Sequence, residues 1–151
     1  MAMKKWRSCN KCAGMFFDGR DHKGTCPAGQ GHVAQGLEFN LPHGGADNGH
    51  AQGAWRFCNR CFGMFFDGFE RKGTCPAGGA HQPDRKFNFV LPHDVQESFP
   101  RTQTNWRFCS NCFGMFFDGS AAKGRCPAGG VHVAQGFVFV LPTTSVVLDD
   151  G

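Results

Sequence analysis

The sequence predicts an all-β fold built from three like units, and three observations predict it. A motif of three cysteines and one histidine is written three times in 151 residues, with Cys9, Cys58 and Cys109 opening the copies 49 and 51 residues apart. A period near fifty marks a repeat architecture. Apolar residues alternate in short runs, as half-buried strands do, and no segment carries a convincing helical spacing. With 22 Gly and 8 Pro, the chain is cut into short elements by turns. About four short strands per copy suit a closed, pseudo-threefold, β-trefoil-like structure. Two strands of each copy would build a barrel and two a hairpin cap, so that closure hides the sheet edges. The alternative is three separate beads on joins of 11 and 13 residues, at 43–53 and 93–105.

The second copy shows the elements in order. Trp55-Arg56-Phe57-Cys58 is extended, with Trp55 and Phe57 on one face. Cys58-x-x-Cys61 turns tightly, and Gly63-Met64-Phe65-Phe66 follows as a second apolar run closed by the turn Asp67-Gly68. Lys72-Gly73-Thr74-Cys75 is a third extended piece, broken by Pro76-Ala77-Gly78-Gly79. Phe87-Asn88-Phe89-Val90-Leu91-Pro92 alternates again. The copies occupy 4–42, 53–92 and 104–142 of one domain, 1–151, and Thr143 to Gly151 reads as a loose tail. Seventeen Phe and three Trp favour a shared core over beads, because a unit of about 50 residues seldom hides so much apolar surface.

Each copy supplies a complete tetrahedral set of three thiols and an imidazole. The sets are Cys9, Cys12, Cys26 and His32; Cys58, Cys61, Cys75 and His81; and Cys109, Cys112, Cys126 and His132. Thirteen residues separate the second and third cysteines, and five separate the third cysteine from the histidine. Thiolate and imidazole suit Zn(II), so three ions are expected, one zinc knuckle per repeat, whether in a trefoil or in zinc-ribbon-like beads. A disulfide framework fits poorly, since three cysteines per copy leave one over. A milder alternative keeps the cysteines as ligands and makes the histidines hydrogen-bonded turn residues. His22, His43, His50 and His93 do not recur in all copies and are expected to be solvated. Four protein ligands close a site to water, and the zinc deaminase signature, nucleophile elbow and phosphate loop are all missing. The expectation is no enzyme.

Beyond the ligands, Arg7, Arg56 and Arg107 follow the tryptophans, Asp18, Asp67 and Asp118 end the Phe-Phe run, and Lys23, Lys72 and Lys123 precede a glycine. Turn chemistry explains Asp-Gly, and a strand face or a bond to a cysteinyl sulfur explains the cations. As a functional set, the nine would cluster beside exposed rings and bind sugar hydroxyls at three equivalent sites, gaining avidity on repeated targets. Gln35 and Gln135, in Val-Ala-Gln-Gly strings of copies one and three, would line two of them.

The net charge of +4 permits acidic partners without demanding them. No apolar run is long enough for a bilayer and no secretory leader opens the sequence, so a cytoplasmic location is the default, with release by a signal-independent route as the other course.

Trp-x-x-Cys-x-x-Cys before a Phe-containing segment resembles the Ran-binding-protein type of zinc finger, whose members bind single-stranded RNA or ubiquitin. Here Cys-x5-His stands where that family has a second Cys-x-x-Cys, and no RNA-binding positions transfer. The string Cys-x-x-Cys-x-Gly-Met-Phe-Phe-Asp-Gly … Cys-Pro-Ala-Gly-x-x-His resembles a repeat of uncharacterised bacterial proteins, and the resemblance implies a bacterial accessory or binding module. Three functions are expected in descending order: a lectin-like protein for glycan or cell-surface targets, a protein-interaction module of a toxin or defence system, and a nucleic-acid-binding zinc protein.

Overall fold

The structure, a computed structural model, describes residues 1–147, with the backbone alone for 145–147, and every regular element in it is a strand. The first copy holds β1 (Ala2–Cys9), β2 (Met15–Phe17) and β3 (Ala34–Pro42). The second holds β4 (Ala51–Cys58), β5 (Met64–Phe66) and β6 (Pro83–Pro92), and the third β7 (Thr102–Cys109), β8 (Met115–Phe117) and β9 (Ala134–Val147). No helix of the described residues is long and apolar enough to cross a membrane.

In every copy the first strand is central and antiparallel to the other two: Trp6 faces Phe17 and Phe39, Trp55 faces Phe66 and Phe89, and Trp106 faces Phe117 and Phe139. Register shifts precede each tryptophan, beside Lys5, Ala54 and Asn105 at φ 76°, 66° and 71°. Such a bulge bends the strand, and here the indole that follows it is buried.

The copies contain three strands, not the expected four. Lys72-Gly73-Thr74-Cys75 and its counterparts form no ladder, because Gly24, Gly73 and Gly124 adopt φ of 76°, 77° and 78° and the chain turns onto the neighbouring copy. The tail also differs from expectation: Thr143 to Val147 continue β9 and pair with β3, while 148–151 lie outside the described residues.

The C-terminal pairing closes the threefold arrangement. The residue after each Leu-Pro bridges to a phenylalanine of another copy: His43 to Phe89, His93 to Phe139, and Thr143 to Phe39. Ring contacts follow the same cycle, with Trp6–Phe89, Trp55–Phe139 and Phe39–Trp106 each 5.3 Å between centroids and edge-on. One buried cluster therefore takes its Trp, Met, Phe and Leu side chains from all three copies. The strands form a six-stranded sheet, β2-β1-β3-β9-β7-β8, and a three-stranded one, β5-β4-β6, and three-stranded units that would each be marginal alone bury their apolar faces together.

Candidate metal centre

Each centre begins where the central strand ends. Cys9 accepts from the Ala13 N–H (2.9 Å) and donates to Gly14 O (2.9 Å), closing Cys-x-x-Cys into a knuckle. The next residue takes positive φ (Ala13 65°, Phe62 69°, Phe113 71°). The Cys-Pro-Ala-Gly segment makes a second tight turn, with Cys26 donating to Gln30 O at 2.7 Å and accepting from the Gly29 N–H at 2.9 Å. Backbone N–H groups then face the sulfurs: Gly14 lies 3.4 Å from Cys12 Sγ, Ala28 3.4 Å from Cys26 Sγ and Val33 3.5 Å from Cys9 Sγ. The pattern repeats in the other copies.

The twelve expected ligands converge as three buried groups, with the four ligand atoms of each within 4.8 Å of one another. Sulfur pairs stand at 3.8 Å (Cys9–Cys26) and 3.9 Å (Cys58–Cys75, Cys109–Cys126). The second cysteine lies 3.6, 3.5 and 3.5 Å from Nδ1 of His32, His81 and His132. A tetrahedron with metal–sulfur bonds of about 2.3 Å and a metal–nitrogen bond of about 2.0 Å has S···S edges of about 3.8 Å and S···N edges of about 3.5 Å. These distances are edges of a coordination polyhedron, far too long for a disulfide, and all nine thiols are free. The sites fit three zinc ions.

Electrostatics agree with a cation site. Hydrogen bonding from the second and third cysteines draws the Cys9 and Cys58 thiols far below the ordinary range, and contact with Cys112 lowers Cys109 to about 3. The second cysteines Cys12, Cys61 and Cys112 are pushed up by those same neighbours and by burial. Burial pulls His32 and His81 down, yet the adjacent sulfurs outweigh it and raise both to about 9. Buried negative charge gathers where Nδ1 points, and a dication satisfies it better than a proton.

The histidines also reach across the copy boundary. His32 Nε2–H donates to Cys61 O, His81 to Cys112 O and His132 to Cys12 O, each at 2.9 Å. Each imidazole lies on the first phenylalanine of its own Phe-Phe pair, 4.7 Å between centroids. A carbonyl only accepts, so it fixes the proton on Nε2 and leaves the Nδ1 lone pair toward the sulfurs. The turn-residue alternative and the ligand reading thus describe opposite sides of one ring.

The nine recurring charged residues also meet. Lys23 Nζ lies 2.8 Å from Asp18 Oδ1, with Arg7 3.7 Å from Oδ2. Lys72 and Arg56 stand likewise at Asp67 (2.8 and 3.6 Å), and Lys123 and Arg107 at Asp118 (3.0 and 3.6 Å). Arg85 adds a 2.7 Å contact to Asp67. The arginines hold main-chain carbonyls of the last strand: Arg7 those of Gly36 and Leu37, Arg56 that of Phe87, Arg107 those of Gly136 and Phe137.

Two histidines depart from expectation: His43 is half-buried, its ring 4.6 Å from that of Phe87, and His93 is buried. His93 is 4% exposed, not solvated, because Phe137 lies flat on it at 3.7 Å and 11° while Nδ1 meets Asp94 Oδ2 at 2.9 Å. The Leu-Pro-His string shared by copies one and two was the available signal. Gln135 lines a groove of about 300 Å³ between copies two and three, with Gln52, Phe69, Phe108 and Phe137 and none of the nine recurring charged residues. No family model, curated protein or solved structure matches the chain. Its own geometry carries the conclusion: this is a tandem Cys3His repeat that folds three zinc centres into one threefold module.

Proposed function

We propose that the protein is a non-enzymatic binding module of lectin type, in which zinc locks three copies together and grooves between copies take glycan or cell-surface targets. The Phe137 platform carries this reading. Phe137 is 43% exposed on one side and backed on the other by buried His93. A pre-supported ring binds with little loss of side-chain freedom. The groove over it is lined by the amides of Gln52 and Gln135 and the rings of Phe69 and Phe108, and by no charged side chain among the described residues. A neutral hydroxylated ring matches that lining: its C–H face covers the phenyl groups and its hydroxyls meet amides. Arg107, paired with Asp118 and Lys123, acts as a positioning residue by holding the Gly136 and Phe137 carbonyls.

The grooves are not equivalent. Between copies one and two, Phe87 replaces Phe137, His43 backs it at 4.6 Å, and Arg20, Asp84 and Lys86 charge the rim. In copy one Leu37 takes the corresponding place and is only 9% exposed. Arg20 over Phe57, at 5.2 Å, favours a second reading in which that groove stacks a nucleobase.

A glycan array of the zinc-loaded protein, read at low and high salt, tests both. Salt-resistant binding to related sugars, lost in Phe137→Ala, is the expected result. Binding to nucleic acid alone, falling steeply with salt, would replace the lectin reading with the second.

A further inference from the structure

We infer that the three metal centres load and release zinc as one coupled unit, through the ring of bonds that each histidine makes to the next copy. The acceptor of His32 Nε2–H is the carbonyl of Cys61, itself a ligand of the second centre. His81 stands in the same relation to Cys112 and the third centre, and His132 to Cys12 and the first. The cycle is closed, so every centre both gives and receives one such bond.

The coupling has a direct physical path. A knuckle holds its second cysteine in place when its own ion gathers both sulfurs, and that placement aims the carbonyl at the neighbouring histidine. The carbonyl then holds that histidine's ring with Nδ1 turned to the sulfurs of its own centre. Loading one centre therefore prepares the histidine of another. Further contacts stiffen the link. The Thr25 N–H also reaches Cys61 O at 3.3 Å, and the N–H groups of Phe17, Phe66 and Phe117 donate to Phe62, Phe113 and Ala13 O at 3.0, 3.0 and 2.9 Å. Gly24, Gly73 and Gly124 sit so close to the carbonyls of Cys61, Cys112 and Cys12 that a Cβ would collide with them.

Native mass spectrometry of the full chain in a zinc–chelator buffer, set to an average of one ion per chain, reads the coupling as a population. Independent equal sites would leave only about 4% of chains with three ions, and a coupling of ordinary size raises that species roughly five-fold or more. A binomial distribution, or an excess of singly loaded chains, overturns the inference. Global folding could itself favour full loading, so a variant separates the two causes. His32→Cys keeps four ligands in the first centre and removes the Nε2–H together with the ring's stack on Phe16, a loss confined to the first copy. Alkylation mapping under chelator should then show Cys58, Cys61 and Cys75 exposed at least several-fold faster than in the parent protein. Faster exposure confined to Cys9, Cys12 and Cys26, or no change at any centre, overturns the ring.

Discussion

The metal centres and the grooves between copies are built by the same three repeats, yet they have been treated in opposite ways. Around the metal, all three copies present the same ligands, the same Gly-Met-Phe-Phe run and the same Cys-Pro-Ala-Gly turn. In the grooves, Phe69 corresponds to Arg20 and Ser120, Phe108 to Phe57 and Ser8, and Gln52 to Met3 and Gln103. A tetrahedral site with buried sulfurs tolerates few changes of atom or position, whereas a groove wall tolerates any side chain that leaves the strand intact. The part that repeats thus carries the metal centres, and the part that varies lines the grooves in which the proposed recognition would take place.

The largest expected effect tests the first half of that contrast. Structural zinc in small fingers supplies an apparent 10–16 kcal/mol or so, comparable with the whole stability of a domain. Chelation should abolish the near-ultraviolet tryptophan signal of Trp6, Trp55 and Trp106, all 0% exposed, and added zinc should restore it. Cys112→Ser should lower stability nearly as far, because its loss opens the third centre. A chain that keeps its tertiary signal without metal would show that the Phe and Trp core suffices.

Gly73→Ala comes next. The residue has φ of 77°, and a Cβ there would collide with the Cys112 carbonyl, so both strain and a rigid backbone clash oppose it. The expected loss is about 3 kcal/mol in chemical denaturation of the zinc-loaded protein. A neutral result would mean that the Cys112 carbonyl can move without harm, contrary to its place in the ring.

The first of these effects falls on residues that the sequence showed plainly, and the second does not. Ligand spacing repeats three times, and nothing but a metal site asks for that set at that spacing. Strand type was equally legible from alternation in segments such as Phe87 to Leu91. The failures share a cause. Lys72 to Cys75 looks extended, but its course depends on Gly73 meeting a carbonyl 39 residues away in the chain. Thr143 to Val147 carries no local sign of the strand partner it finds in copy one. Copy-to-copy contacts are set by closure of the ring, and no local pattern encodes closure. His93 was hidden for the same reason, since its stacking partner Phe137 belongs to the following copy.

The groove half of the contrast predicts a mutation that is silent in stability. Phe137→Ala removes a ring that is already 43% exposed, so the transition should shift by under about 1 kcal/mol while sugar binding is lost. If denaturation shifts by several kcal/mol instead, the Phe137–His93 stack is part of the core and not a platform.

The smallest effect sharpens the contrast at one atom. Trp55 Nε1–H donates to Gln52 Oε1 at 3.1 Å and Trp106 Nε1–H to Gln103 Oε1 at 2.9 Å. Copy one has Met3 at that position, and the fully buried Trp6 Nε1–H finds no acceptor among the described residues. An orphaned buried donor is costly, and supplying its partner recovers about 1 kcal/mol. Met3→Gln should therefore raise the melting temperature by about 2–4 °C in a chain of this size, and Gln103→Met should lower it by a similar amount. Met3 also lines the groove between copies one and two beside Phe17 and Phe57, so its thioether has a competing use there. A gain in stability paired with altered binding in that groove would show variation among copies serving recognition at the expense of the fold. No gain would mean that packing of the methionine already compensates the indole, and the departure of copy one at this position would then be neutral.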